Sequence, residues 1–332
     1  MTDAPDRHES DHAPLVSVIV PAFNEAAVIT ASLATLVAHL ETLAPRFRWE
    51  VVVVDDGSTD STADQAEQFA TAHPGVRVLR HRVNFRLGQA LRYAFGQTTG
   101  DYVAVIDCDL SYSPDHITRM LHTAEDTGAR IVVASPYARG GTTTKVPFVR
   151  RLLSRSANRL LAAAAGGEIT TLTGMVRVYD GPFIRSLDLR AVDADINTEI
   201  IYKARILHAR IVEIPAHLDW SFAATGGTRR SVDGRLSGAT VSSLFASFLF
   251  RPFLFFVLPG LMLLAVAVIA FLRAPHHVLV PGITLVLALQ FMSLGVVAAQ
   301  AKRYFEELYH LGTSVLRRSP RRPPTPSEIA GE

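Results

Sequence analysis

The stretch VAVIDCDLSYSPDH, Val103 to His116, runs from a buried strand straight into acid. Its apolar residues lead to Asp107, Cys108 and Asp109, and a polar turn with Pro114 and Asp115 follows. An isolated pair of this kind is explained by a strand end meeting solvent, because Asp is common in turns and helix caps. The segments around it repeat the same arrangement, and the repetition decides the fold.

From Leu15 to about Ser135, strand and helix patterns alternate. LVSVIVPA, WEVVVVDDGS, VRVLRH, DYVAVIDCD and RIVVASPY carry nearly continuous apolar runs. AAVITASLATLVAHLETL, the stretch from Ser61 to Ala72, GQALRYAFGQT and PDHITRMLHTAEDTG lie between them with helical spacing. Such alternation predicts an α/β domain with a parallel sheet covered on both faces. Sheets of this class bind ligands at the carboxyl ends of their strands. Pro21 to Glu25, Asp55 to Ser58, and Asp107 to Asp109 all fall at those ends.

Composition narrows the field. The chain has 332 residues, and a formal charge of only +2 gives no global case for nucleic-acid binding. One cysteine means no intrachain disulfide, which fits a reducing compartment. Residues 1–14 are polar, and residues 317–332 are basic and Pro-rich; both are expected to be disordered tails. No charged n-region and apolar h-region opens the chain, so a cleaved signal peptide is not indicated.

Near the C-terminus, PFLFFVLPGLMLLAVAVIAFL and VLVPGITLVLALQFMSLGVVAAQA contain no charge. About 20 helical residues at ~1.5 Å each span a ~30 Å hydrocarbon core. Two such runs joined by RAPHH predict a transmembrane hairpin over 252–301, with Pro259 and Pro281 tolerated by neighbouring helices. Arg251, Lys302, Arg303, Arg317 and Arg318 flank the outer ends, whereas the loop carries only Arg273, so both ends are placed in the cytoplasm. An interfacial helix over 236–251 and a juxtamembrane helix over 302–316 complete this region. The stretch VPFVRRLLSRSANRLLAAAAGG predicts a basic amphipathic helix over about 147–165, lying at the membrane surface.

Side chains alternate along an extended chain, so Asp107 and Asp109 are expected on one face. Two carboxylates beside a ligand-binding sheet edge suit a hard divalent cation, Mg²⁺ or Mn²⁺, that completes its shell with phosphate and water. Asp55 and Asp56 stand at another strand end, placed to meet a base or ribose by hydrogen bonding, although DDGS alone reads equally as a turn followed by an N-cap, since Ser58, Thr59 and Asp60 precede a helix.

In order, SVIVPAFNE, VVVVDDGSTDST, GQALRYAFGQTTGDYVAVIDCDLSYSPDHI and INTEIIYKARILHARIVEIPAH resemble the GT-A glycosyltransferases of family 2. Within them the chain is most similar to the polyprenyl-phosphate, dolichol-phosphate mannose synthase-like sugar transferases. The resemblance covers roughly Val16 to Arg230 and extends to two-span members through the apolar pair. It implies that Pro21, Ala22, Asn24 and Glu25 cradle the nucleotide, and that Asp56 contacts the donor base. It implies that Asp107 and Asp109 are the D-x-D where metal and donor diphosphate meet, with Ser111 standing where many members have Gln as a further metal-side group. Arg151, Ser154, Arg155 and Asn158 match the helix that grips the lipid phosphate. Arg229 and Arg230, in GTRR, match a late loop where a cation meets phosphate. Two departures are visible: Thr171-Leu172-Thr173-Gly174-Met175-Val176-Arg177 replaces D-x-T-S-G-F-R, and Ser135-Pro136-Tyr137 replaces S-R-Y.

The implied reaction is inverting transfer of a hexose from a UDP- or GDP-linked sugar to a polyprenyl phosphate on the cytoplasmic face of a membrane. The partners are then donor, acceptor and bilayer, without nucleic acid, and homo-oligomerisation is left open. A lipid monophosphate has a second pKa of about 6, so it attacks as a dianion and needs no general base. A processive polysaccharide synthase usually carries Q-x-x-R-W and more spans; a nucleotidyltransferase usually shows a Gly-rich basic signature after the first strand. Neither pattern is found. An inactive membrane-anchored scaffold of the same fold is opposed by the intact Asp56, Asp107 and Asp109.

Overall fold

The computed structural model describes residues 13–145, 169–172, 174–219, 256–273 and 278–318. They fall into two compact units, Met1–Ala246 and Ser247–Glu332.

In the first unit, β1 (Leu15–Ala22), β2 (Arg48–Asp55), β3 (Val76–Arg80), β4 (Tyr102–Val105) and β5 (Ile131–Ser135) alternate with α1 (Ile29–Glu41), α2 (Thr62–Ala72), α3 (Leu87–Gln97) and α4 (Asp115–Thr127). Next come β6 (Thr142–Thr144), β7 (Arg177–Asp180), α5 (Gly181–Ser186), α6 (Ile196–Ile206), β8 (Ile211–Pro215) and β9 (His217–Asp219). The main sheet has the order β3-β2-β1-β4-β7-β5-β8. Its strands are apolar on both sides because both faces are covered. Val16, Val18 and Val20 pack with Leu33 and Leu36 of α1 and with Ile117 and Met120 of α4. Ile19, Val52 and Val54 pack on the opposite face with Leu91 and Ala94 of α3 and Ile200 and Ile201 of α6.

The sheet is mostly parallel, as expected, with one exception. β7 enters between β4 and β5 and runs antiparallel to both. It spans only four residues, too few for periodicity to reveal. Asp180 closes it and caps α5 by accepting the Phe183 amide at 2.8 Å. β6 and β9 form a separate parallel ladder, in which Thr144 is the register partner of Asp219.

In the second unit, α7 (Leu258–Arg273) and α8 (Leu279–Arg318) are apolar along the region predicted to span. Only the stretch Leu279–Ala301, 23 residues and about 35 Å, is long and apolar enough to cross a membrane among the described residues. Within the first apolar run, α7 has 16 residues, about 24 Å, and residues 252–255 lie outside the described set. Pro259 and Pro281 sit in first helical turns, where no intrahelical partner waits for their missing N–H. The separate juxtamembrane helix expected over 302–316 is instead a continuation of α8, which runs unbroken for 40 residues.

Many large apolar side chains on this pair face outward, among them Met262, Leu272, Leu279 and Val286, each more than 60% exposed. A soluble helix pair would bury such side chains. The helices meet through small residues. A Cβ on Gly260 would lie 2.7 Å from Met292 Cγ, and one on Gly295 would lie 2.6 Å from Val257 Cγ2. Close backbone approach through glycine is how apolar helices associate where lipid surrounds them.

Candidate active site

The order β3-β2-β1-β4 reverses direction at β1, since the chain builds outward to β3 and then returns to the other side. Crevices in open α/β sheets form at such a switch point. Register places the three acidic or polar strand ends together there. Ala22 pairs with Asp55, Ile19 pairs with Val105, and the Ile106 amide continues the ladder to Ile19 O at 3.1 Å.

The loops after β1 and β2 are laced into one unit. Asn24, at φ 56°, accepts the Thr59 amide on Oδ1 at 2.9 Å, and its own amide donates to Ser58 Oγ at 2.9 Å. The Glu25 amide donates to Thr62 Oγ1 at 2.8 Å, and the Ala26 amide to Asp60 Oδ2 at 3.3 Å. Glu25 O then accepts the Val28 and Ile29 amides and starts α1.

The two acids of VVDDGS do different work. Asp55 is buried, and its Oδ2 accepts the Ser58 amide at 3.3 Å, which shapes the turn. Asp56 is 4% exposed, and its Oδ1 accepts from both His81 Nδ1 at 2.9 Å and the Phe85 amide at 3.0 Å. Gly57 permits this approach. Its φ is 73°, and a Cβ there would lie 2.3 Å from Val83 C. The His81 ring is flanked by Phe85 and Tyr93, each 5.2 Å away between ring centres.

The D-x-D segment corrects the argument from strand alternation. β4 ends at Val105, and Asp107 to Leu110 form a turn closed by the Leu110 amide on Asp107 O at 3.1 Å, with Leu110 at φ 46°. Turn geometry therefore sets the two carboxylates, both half-buried, and not the two-residue period of a strand. Cys108 points into the core, and burial pushes its thiol pKa far up, so it stays a neutral packing group. Ser111 is buried. Its amide donates to Asp109 Oδ1 at 3.0 Å, and its carbonyl accepts the Asp219 amide at 2.9 Å. The turn is thereby tied to β9. His116 supports the same corner: Nδ1 donates to Ser113 O at 2.8 Å, and Nε2 accepts the His217 amide at 3.1 Å.

These oxygens suit a hard cation. Among the described residues no three His, Cys, Asp or Glu side chains gather into a metal cage. A pair of carboxylates that relies on substrate phosphate and water is the arrangement Mg²⁺ usually takes.

A part-buried polar cluster joins β5, β8 and the 169–172 segment. Glu213 accepts the Thr170 and Thr171 amides at 2.8 and 2.7 Å, and Ser135 Oγ bonds both threonine hydroxyls. Arg177 is fully buried and donates to Asn197 O and Leu172 O at 2.8 and 2.6 Å. Desolvation lowers its pKa, while Tyr179 and Glu213 oppose that shift. Arg177 thus staples the 169–172 segment to the start of α6. In the sequence it appears only as the end of a divergent motif.

The structure brings together Pro21, Ala22, Asn24, Glu25, Asp56, Asp107, Asp109 and Ser111. Arg151, Ser154, Arg155, Asn158, Arg229 and Arg230 lie outside the described residues, as do the helices expected over 147–165 and 236–251. His81 and Glu213 were missed by sequence reasoning. A histidine closing a strand beside an aromatic pair was the only signal for the first, and nothing local marked the second.

The profile of Glycosyl transferase family 2 matches residues 17–185. A dolichol-phosphate mannosyltransferase of Pyrococcus furiosus is 28% identical over 68% of this chain, which spans 60% of that protein's length. A polyprenol monophosphomannose synthase of Mycolicibacterium smegmatis is 32% identical over 60% of the chain and 75% of its own length. An undecaprenyl-phosphate mannosyltransferase of Micrococcus luteus is 29% identical over 60% and 82%. Among solved structures, glucosyl-3-phosphoglycerate synthase from Mycobacterium tuberculosis, in complex with Mn²⁺, UDP and phosphoglyceric acid, superposes with a TM-score of 0.53. It is 21% identical and covers 70% of this chain and 78% of its own. That likeness establishes the fold.

Proposed function

The chain belongs to glycosyl transferase family 2, and on that premise we propose that it transfers a hexose, with inversion, from a nucleotide sugar to a polyprenyl phosphate at a membrane surface. The observation that carries this reading is the Asp107–Asp109 turn set level with the laced Asn24–Thr59 loops at the switch point. The loops after β1 and β2 hold the nucleotide, with Asp56 turned to its base. Asp107 and Asp109, with Ser111 beside them, would hold Mg²⁺ or Mn²⁺ on the diphosphate. A bound cation would neutralise charge developing on the leaving group. The Mycobacterium tuberculosis synthase was crystallised with Mn²⁺ or Mg²⁺ and UDP, which supports this choice of metal.

The acceptor side follows from chain path. The Thr144–Asp219 pair puts the approaches to the segments carrying Arg151 and Arg229 next to each other, and the Asp219 amide binds Ser111 O. Arg151, Ser154, Arg155, Asn158, Arg229 and Arg230 are assigned to the lipid phosphate. One phosphate oxygen forms the new bond to the anomeric carbon as the bond to the diphosphate breaks, and the nucleoside diphosphate leaves with the electron pair. The attacking dianion has no proton to lose, so positioning and electrostatics carry the rate. The names of the three relatives, all polyprenyl-type phosphate mannosyltransferases, support this acceptor class. In this reading the apolar α7–α8 pair is a membrane anchor, and the basic residues flanking it support a catalytic unit on the cytoplasmic side.

The test is incubation of the detergent-solubilised full chain with labelled nucleotide sugars and a polyprenyl phosphate. A lipid-linked monosaccharide phosphate is expected. A polymer ladder would indicate a processive synthase, and no transfer from any donor would support an inactive scaffold.

A further inference from the structure

A histidine side chain ties β9 to the turn that carries Asp107 and Asp109. Backbone amides alternate sides along a strand, so two amides two residues apart face the same way. On β9 those of His217 and Asp219 are both taken by groups outside the β6–β9 ladder. The His217 amide donates to His116 Nε2 at 3.1 Å, and the Asp219 amide to Ser111 O at 2.9 Å. The second acceptor is a backbone carbonyl, which any residue supplies. The first is a ring nitrogen, which few residues supply. His116 can accept there only as the neutral tautomer with its proton on Nδ1. Ser113 O lies 2.8 Å from Nδ1 and can only accept, so it holds the proton on that side and leaves Nε2 its lone pair. Burial at 3% exposure and edge-on packing against Tyr112, 5.8 Å between ring centres, fix the imidazole in place.

Both partners of His116 are backbone groups, one in the turn after Asp109 and one on β9, and β9 is paired in turn with β6. The ring therefore sets the distance between the D-x-D turn and the two strands from which the chain runs on to Arg151 and Arg229. In-line displacement needs that distance held, because the acceptor phosphate must meet the anomeric carbon of a sugar whose diphosphate sits at Asp107 and Asp109. We infer that His116 is a positioning residue for the acceptor, which fixes β9, and with it the acceptor side of the site, against the metal-binding turn. The role rests on the reading proposed above, in which those arginines meet a lipid phosphate. His116 touches neither substrate; it acts through the His217 amide.

The test is steady-state kinetics of the full chain in detergent with Mg²⁺, with nucleotide sugar and polyprenyl phosphate varied separately, on two variants. His116→Asn carries its amide as many bonds from Cα as Nδ1, so it keeps a donor for Ser113 O and falls short of His217. His116→Gln carries a carbonyl oxygen as many bonds from Cα as Nε2, so it keeps an acceptor for the His217 amide. In His116→Asn, kcat/KM for polyprenyl phosphate should fall about fivefold or more, the value of one lost hydrogen bond, while the donor KM stays unchanged. His116→Gln should recover most of that loss. A folded His116→Asn with unchanged acceptor kinetics, a donor KM that rises with the acceptor KM, or equal losses in both variants overturns the role and leaves His116 as packing. Nitrogen-15 spectra of the histidine-labelled, unaltered chain read the bond without His116→Asn. A neutral ring protonated on Nδ1, whose signals vanish in His116→Gln, is expected; a proton on Nε2 of His116 overturns the inference. The underlying reading fails separately: no transfer to polyprenyl phosphate by the unaltered chain removes the acceptor, and this role with it.

Discussion

The side-chain carbonyl of Asn24 accepts the Thr59 amide at 2.9 Å and joins the loop after β1 to the loop after β2. Asn24 does so from a left-handed backbone conformation, φ 56°, that Asn tolerates better than most residues. Asn24→Ala loses both the bond and the tolerance and should destabilise by roughly 1 to 3 kcal/mol. Asn24→Gly restores the backbone ease without the bond. Thermal melts should rank wild type above Gly and Gly above Ala, and both variants should raise the donor KM. An unchanged donor KM in both would detach this loop pair from the nucleotide.

The metal assignment predicts a loss of turnover without loss of fold. Asp109→Asn should lower kcat by about a hundredfold or more, while Tm stays within a degree or two of wild type, as expected for a half-buried turn residue. Chelator should abolish transfer, and Mg²⁺ or Mn²⁺ should restore it. Full activity in chelator would be decisive against this role.

Arg151 and Arg155 are four residues apart, so on the predicted helix they share a face. Replacing both by Ala should raise the KM for polyprenyl phosphate by about tenfold or more, with little change in the donor KM. The control is a short, soluble polyprenyl phosphate in detergent. Normal kinetics there would reduce the two arginines to membrane-surface contacts.

His39 on α1 bonds Thr118 Oγ1 on α4 at 2.8 Å, and burial lowers its pKa, opposed by Asp115. An unfolded histidine titrates near 6.5. As pH falls below about 6.5, the unfolded chain takes up this proton before the folded one does. Stability from His39 is therefore fully present above that pH and declines toward the lower folded value. Denaturant midpoints from pH 7.5 to 5 should show the decline, and His39→Gln should flatten it. An equal slope in the variant would assign the effect to other groups.

The membrane topology is accessible through thiols, because Cys108 is buried and is the single native cysteine. His276→Cys, in RAPHH, should react with an impermeant reagent added to intact cells. Ser327→Cys, in the tail, should react only after lysis. Labelling of the tail alone would invert the orientation.

Local patterns carried much of this protein into the sequence. Five strands and four helices up to Ser135 were legible because both faces of the sheet are buried, which writes VSVIV and VVVV as unbroken apolar runs. The acids at strand ends were legible because they interrupt those apolar runs at one edge of the sheet. Tertiary structure decided what depends on partners distant in the chain. β7 runs antiparallel between β4 and β5, a pairing with strands more than forty residues earlier in the chain that four residues of local pattern do not encode. The D-x-D carboxylates are set by a turn tied through Ser111 to Asp219, 108 positions further on. The state of Asp56 depends on His81 and on a backbone amide at Phe85, and an amide has no letter of its own in the sequence. Composition records which groups are present; only packing determines which of their lone pairs remain for a ligand.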